Sequence, residues 1–202
     1  MSEANGSDNV RYPMAVRTIA TEGEILSKMA ECAKRIANDY KAYDLSSDNP
    51  IILVCVLKGS FLFTADLCRF MADEGIPVKM EFICISSYGS GVQTSGQVRL
   101  LLDVRESVEN RHVLIVEDIV DTATSLIYIK SIFSSKKPAS LKSVVLLDKP
   151  NARKNPFIPD YSIFTVPNVF VVGYGLDYAE SFRELRDVVE LDKKYYSNGS
   201  HI

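Results

Sequence analysis

Apolar residues recur at two different periods along the chain, and the change of period marks its elements. Ile25, Met29, Cys32, Ile36 and Tyr40 share one face at helical spacing. They follow Thr21-Glu22-Gly23-Glu24, which has the form of a capping box, so the pattern predicts an amphipathic helix over residues 22–41. IILVCVL (51–57) is a continuous apolar run of strand length, followed by Lys58-Gly59-Ser60 and a second helix to about residue 73. Residues 77–85 read as a strand, 86–96 as a Gly/Ser-rich stretch, and 97–102 as a hairpin partner. HVLIVED (112–118) is another short apolar strand, entering a helix near Thr122 that runs to about residue 134. SVVLLD (143–148) and VFVVGYG (169–175) are further apolar strands.

Continuous apolar strands alternating with helices predict a doubly wound α/β fold, its parallel sheet covered on both faces. A chain of 202 residues fits one core, so residues 11–191 are expected to form a single domain, with polar, mobile tails at 1–10 and 192–202. Ligands of such sheets bind where strands end and helices begin. That rule directs attention to residues 58–60, 117–125, 148–153 and 175–183.

Composition narrows the classes. With 47% apolar and 24% charged residues the chain is ordinary soluble-globular material. A net charge of −3 leaves no basic footprint, which disfavours a nucleic-acid partner and means that any phosphate must be held by local groups. Cys32, Cys55, Cys68 and Cys84 form no C-x-x-C pair and read as reduced thiols in a reducing compartment. The first ten residues lack an apolar segment, so no secretory signal is expected. The longest aliphatic run, Ile51–Leu57, is too short to span a bilayer. An intracellular protein without a membrane partner is expected, and the sequons at Asn5 and Asn198 then carry no meaning.

Several chemistries drop out. Gly89 and Gly91 open a G-x-G-x-x-G that fails at Thr94, and Gly91 with Gly96 has Walker A spacing but is followed by Gln97 and Val98. Two histidines, His112 and His201, give little basis for a Ser-His or Cys-His pair, and no spacing supports zinc. The informative segment is residues 113–125. There Glu117 and Asp118 end an apolar strand, Asp121 follows three residues later, and Thr122, Ala123, Thr124 and Ser125 open a helix. Adjacent carboxylates can accept hydrogen bonds from the vicinal hydroxyls of a sugar, and a hydroxyl-rich helix N-terminus suits a phosphate monoester. Helix capping by Asp118 or Asp121 is the plainer alternative, but it leaves Glu117 beside an apolar strand without a partner.

This segment resembles the binding motif for phosphoribosyl pyrophosphate (PRPP) of the type I phosphoribosyltransferases. Val56-Leu-Lys-Gly-Ser-Phe, Ser87-Tyr88, Leu147-Asp-Lys-Pro, Phe170-Val-Val-Gly-Tyr-Gly-Leu-Asp-Tyr and Phe182-Arg183 resemble the hypoxanthine-guanine branch of that family in the same order, over roughly residues 12–190 and in the manner of its trypanosomatid members. The resemblance implies a mostly parallel twisted sheet flanked by helices, a small hood, and a flexible active-site loop carrying Ser87 and Tyr88. It implies purine salvage: transfer of the 5-phosphoribosyl group from PRPP to a 6-oxopurine base, giving a purine nucleoside monophosphate and pyrophosphate.

By the same resemblance Glu117 and Asp118 would hold the ribose hydroxyls, Asp121 would take the proton leaving the base, and residues 122–125 would cradle the 5′-phosphate. Leu57, Lys58 and Gly59 would form the pyrophosphate loop with a cis Leu57–Lys58 peptide, and Arg183 would contact pyrophosphate. Lys149 would donate to the 6-oxo group, Phe170 would stack on the base, and the Val171 backbone would read its edge. Asp177, with Glu117 and Asp118, would serve Mg2+, and a homodimer or homotetramer is implied. On local context alone Lys149 also reads as a solvated lysine, Phe170 as core, and Arg183 as a helix-surface partner of Glu180 or Glu184. One departure stands out: the family's turn usually carries Gly where this chain has Ala123, which implies either a negative φ or a reshaped phosphate pocket. Two rivals remain, a PRPP- or nucleotide-binding regulator and an orotate or adenine phosphoribosyltransferase. The modest charge and the set of base-reading residues argue against the first, and Lys149 before Phe170-Val171 against the second. The final Ser200-His201-Ile202 is a weak variant of the Ser-Lys-Leu peroxisomal signal, so a cytoplasmic or glycosomal address is expected.

Overall fold

The computed structural model describes residues 11–87 and 98–197. Tyr88, the glycines at 89, 91 and 96, and the C-terminal tripeptide lie outside these, as does the side chain of Ser87.

The apolar runs form a six-stranded sheet in the order β4-β3-β2-β5-β6-β7. Its strands are β2 (Ile51–Leu57), β3 (Val78–Ser87), β4 (Val98–Leu102), β5 (His112–Val120), β6 (Ser140–Asp148) and β7 (Tyr161–Thr165). Five are parallel, and β4 closes one edge antiparallel to β3, the hairpin partner expected from residues 97–102. Alternate residues of the central strands face opposite layers. Ile51, Leu53, Leu114, Val116, Val144 and Leu146 join helices α1 (Glu22–Tyr40) and α2 (Phe61–Asp73) in one core. Ile52, Val54, Val113, Ile115 and Val145 meet Leu126, Ile129 and Phe133 of α3 (Thr124–Ser135) in the other. Burial on both faces is why these strands are continuously apolar. The capping box at the start of α1 is formed, Thr21 accepting from the Glu24 amide and the Glu24 carboxylate accepting from Thr21 N–H.

A second, antiparallel sheet of order β1-β9-β8 stands beside the first. It comprises β1 (Ala15–Ala20), β8 (Val171–Val172) and β9 (Val188–Leu191), and has the place of the expected hood. The strand expected over 169–175 is corrected here to these two residues of β8. Gly173 (φ 98°), Tyr174 (φ 49°) and Gly175 (φ 98°) take successive left-handed conformations that end the strand. The chain then folds over residues 176–187 without a helix, so the helix surface imagined for Arg183 does not exist. Among the described residues no helix is long and apolar enough to cross a membrane.

Candidate active site

The carboxyl ends of β2, β5 and β6 deliver their loops to one rim of the sheet, joined by the segment after β8. The Leu57–Lys58 peptide is cis, as the resemblance implied. Gly59 packs so tightly on Asp118 that a Cβ built there would fall inside the Asp118 carboxylate, 2.6 Å from its Cγ. A Cβ on Gly175 would collide with the Gly59 carbonyl oxygen in turn. Two glycines thus let residues 58–60 and 173–176 close around Asp118, which no residue with a side chain permits.

Asp118 Oδ1 accepts from its neighbour's amide, Ile119 N, at 2.7 Å. Glu117 Oε2 is buried and finds no hydrogen-bond partner. Burial pushes the Glu117 carboxyl well above the usual range, and the adjacent Asp118 pushes it further. Burial likewise raises Asp118, to about 6, against the pull of backbone hydrogen bonds and of Arg183. An unpartnered buried acceptor is costly in a free protein and is the kind of group a hydroxyl-bearing ligand satisfies.

Beyond this pair, Glu117 and residues 119–126 line a cavity of about 200 Å³ at the N-terminus of α3. The N-cap residue Ala123 offers no side-chain cap and the first turn carries no acid; only Thr122 Oγ1, at 3.5 Å from Thr124 N, reaches a leading amide of that helix at the cavity. Thr122 Oγ1 and Thr124 Oγ1 are 3.2 Å apart in the turn. Ala123 has φ 67°, so the negative-φ alternative for this residue is corrected: the turn keeps the left-handed conformation usual for Gly, with the Ala methyl buried at 4% exposure.

A second cavity of about 210 Å³ is lined by Asp118, Ile119, Asp121, Lys149, Phe170, Val171, Leu176 and Asp177. Lys149 is buried and not the solvated lysine of the plainer reading, with Nζ 3.8 Å from Asp121 Oδ2. Burial lowers its pKa, opposed by Asp121. Phe170 is 37% exposed, so it is not simple core. Its ring stacks on Tyr196 at 4.9 Å and meets Tyr178 edge-on at 5.7 Å, neither of which lines the cavity. At the outer rim Arg183 donates to the Gly175 carbonyl at 2.8 Å and pairs with Asp177 at 3.0 Å and Glu180 at 3.2 Å. Lys58 pairs with the same Glu180 carboxylate at 3.0 Å. Glu180 entered the sequence reading only as a partner of Arg183; it also pairs with the exposed Lys58.

Among the described residues no group of three or more potential ligands gathers to hold a metal ion. Glu117 and Asp118 are adjacent and Asp177 lies across the second cavity. The donor set fits a hard cation that keeps waters and takes oxygens from a bound phosphate, as magnesium does with one or two protein carboxylates.

Comparison with known proteins gives the family. The phosphoribosyl transferase domain family matches residues 17–179, and the chain belongs to that family. Within it, the chain is 63% identical to the hypoxanthine-guanine phosphoribosyltransferase of Leishmania donovani over 92% of its own length and 88% of that protein's. The Crithidia fasciculata protein of the same name is 62% identical over 96% of this chain and 94% of its own. The solved structure of the Trypanosoma cruzi hypoxanthine phosphoribosyltransferase with its product IMP matches at TM-score 0.87 and 55% identity, covering 92% of this chain and 98% of that one.

Proposed function

We propose that this protein is a purine-salvage hypoxanthine-guanine phosphoribosyltransferase, moving the 5-phosphoribosyl group of PRPP to hypoxanthine or guanine to give IMP or GMP and pyrophosphate. The observation that carries the base assignment is the pairing of a half-exposed carboxylate and a buried ammonium, Asp121 and Lys149, 3.8 Å apart in a cavity floored by Phe170. A proton acceptor beside a fixed donor suits a base that gives up a ring proton next to a carbonyl. A 6-amino group would instead present its own donors to Lys149.

In this reading the base lies against Phe170, with the backbone of Val171 at its edge and Lys149 on its 6-oxo oxygen. Glu117 and Asp118 accept from the ribose hydroxyls, which supplies the partner that Glu117 Oε2 lacks in the free protein. The 5′-phosphate occupies the cavity at α3, held by the amides and hydroxyls of residues 122–125. The pyrophosphate lies at Lys58, Gly59 and Arg183. As the bond from C1 to pyrophosphate breaks and the base nitrogen bonds to C1, Lys58 and Arg183 neutralise the charge growing on the leaving group. Asp121 receives the proton that the base releases. Asp177, with Glu117 or Asp118, would hold magnesium, which when bound would supply further charge neutralisation at the leaving group. The resemblance also carries a homodimer or homotetramer.

Turnover of hypoxanthine, guanine, xanthine and adenine with PRPP, before and after EDTA and with magnesium restored, tests the proposal. Rapid use of the first two bases, little use of adenine, and full dependence on the metal are expected. Preference for adenine would overturn the base assignment, and EDTA-resistant turnover would remove the metal. Xanthine use decides how broad the 6-oxopurine specificity is.

A further inference from the structure

Arg153 lines neither cavity of the site, yet its guanidinium is bonded to the backbone of both residues assigned to the base. It follows the single 3-10 turn Pro150–Ala152, and its side chain reaches back to the ends of β5 and β6. Nη1 donates to the carbonyl oxygens of Val120 (2.6 Å), Asp121 (2.7 Å) and Lys149 (3.3 Å). Nη2 pairs with the Asp148 carboxylate, and Nε donates to the Phe157 carbonyl at 3.3 Å. The two charged side chains are only 12% and 13% exposed, so the cluster is sequestered from water.

Its place in the ladder shows what it does. The last paired residues of β5 and β6 are Val120 and Asp148. Asp121 and Lys149 each lie one residue beyond, where the ladder no longer fixes their relative position. The Lys149 amide still donates to Val120 O at 3.0 Å and its carbonyl accepts from Ala152 N at 3.0 Å, but neither bond reaches the carbonyl of Asp121. Arg153 bonds the carbonyls of Asp121 and Lys149 with one nitrogen. Only a planar fork with five donors serves three carbonyls, a carboxylate and a fourth carbonyl from one rigid group; a lysine ammonium is a single point with three donors.

We propose that Arg153 is a positioning residue that sets the spacing of Asp121 and Lys149 and thereby the enzyme's affinity for the 6-oxopurine base. The proposal rests on the base-reading roles given above to Asp121 and Lys149. It predicts a defect greatest at the base: of the phosphate cavity Arg153 bonds only the backbone of Val120 and Asp121 and none of residues 122–125, and it makes no bond to the pyrophosphate loop.

Arg153→Lys, which keeps a cation for Asp148, is the discriminating variant. Its KM for hypoxanthine should rise and its kcat/KM for that base should fall about tenfold to a hundredfold, the scale of a 1 Å misplacement, while its KM for PRPP stays within about twofold. The loss should also shrink when Lys149→Ala is already present, because one partner of the fixed spacing has then gone. A general fold staple would give the same factor in both backgrounds and shift both KM values together, and either result would overturn the proposal. If Arg153→Lys does not fold, Asp148→Asn keeps the arginine but removes the charge that orients it. It should then raise the KM for hypoxanthine and not that for PRPP, and no change in either would equally reject the role. Wild-type protein that fails to use hypoxanthine would sink the functional reading itself, a different outcome from normal turnover with an indifferent Arg153.

Discussion

Gly59→Ala should disable the enzyme without unfolding it, and the structure gives the size of the effect. A Cβ at this position would stand 2.6 Å from Asp118 Cγ and inside its carboxylate, whereas ordinary contact begins at 3.4 Å. The loop cannot retreat the other way, because the Gly59 carbonyl is already packed on Gly175. With that Cβ falling almost on its Oδ2, the carboxylate must move by well over 1 Å or swing away from Ile119 N, and a misplacement of even about 1 Å costs about 10²-fold in rate. A lost hydrogen bond to a charged acceptor, about 1.5–3 kcal/mol, leads to a similar figure. Steady-state kinetics with PRPP varied at saturating hypoxanthine should show kcat/KM down about 10²-fold, with a well-folded protein by circular dichroism. Gly175→Ala attacks the same contact from the other side and also forces a side chain to φ 98°. The double variant should lose much less than the product of the two single losses, since both displace one carboxylate. Gly59→Ala enzyme with wild-type kcat/KM for PRPP would refute the reasoning, because it would mean that the position of Asp118 does not matter to the reaction.

Asp121→Asn should lower kcat by about 10²-fold or more, the lower range of general-base contributions, while IMP measured by calorimetry still binds; near-normal turnover would remove Asp121 from proton transfer. Lys149→Ala should cost roughly tenfold or more in kcat/KM for hypoxanthine and weaken selection against adenine, a charged donor's hydrogen bond having been lost. An unchanged ratio of guanine to adenine use would count against it. Glu117→Gln should alter the pH dependence of stability. The folded Glu117 carboxyl is raised by burial and by Asp118, so the native state holds that proton more tightly than the unfolded chain. The associated stability is complete below the ordinary value of 4.5 and is lost as pH rises through the folded value. Melting curves should therefore show the variant gaining on wild type between pH 4 and pH 8, and a constant difference would contradict the assignment.

The legible parts of the molecule were those where local pattern and tertiary role coincide. α1 declared itself by a capping box and a single apolar face. β2, β5 and β6 are apolar throughout because helices cover both sides of the sheet. Glu117, Asp118 and Asp121 stood out as acids where the chain leaves such a strand. What stayed hidden depends on distant partners. β1, β7 and β9 are short, and β1 and β7 carry exposed or polar positions, so their pairing is visible only in register. VFVVGYG looked like a strand since hydropathy does not register the run of positive φ from Gly173 to Gly175. Ala123 shows the reverse limit: the turn's geometry outweighs the preference of the residue within it, at a cost on the order of 1–2 kcal/mol for an L-residue. Arg153 lay inside the stretch 148–153 that the strand-end rule marked out, but nothing local distinguishes an arginine that clamps carbonyls from one that faces water.

The two ends of the site are built on different principles. At the base end the geometry is fixed by buried groups: Arg153 bonded to the carbonyls of Val120, Asp121 and Lys149, and the buried Lys149 ammonium beside Asp121. At the pyrophosphate end Lys58 and Glu180 pair with side chains 65% and 64% exposed, and Arg183 shares the same carboxylate. Surface pairs of this kind are worth little and are readily exchanged. A polyanionic ligand can therefore take Lys58 from Glu180 at small cost, whereas a planar neutral base must match a pocket that does not adapt. Charge recognition is loose where the ligand supplies several charges, and rigid where it differs from its competitors by one donor or acceptor. That division explains why specificity should fail on substitution of the buried residues, and why substitution of Glu180 should affect mainly the KM for PRPP.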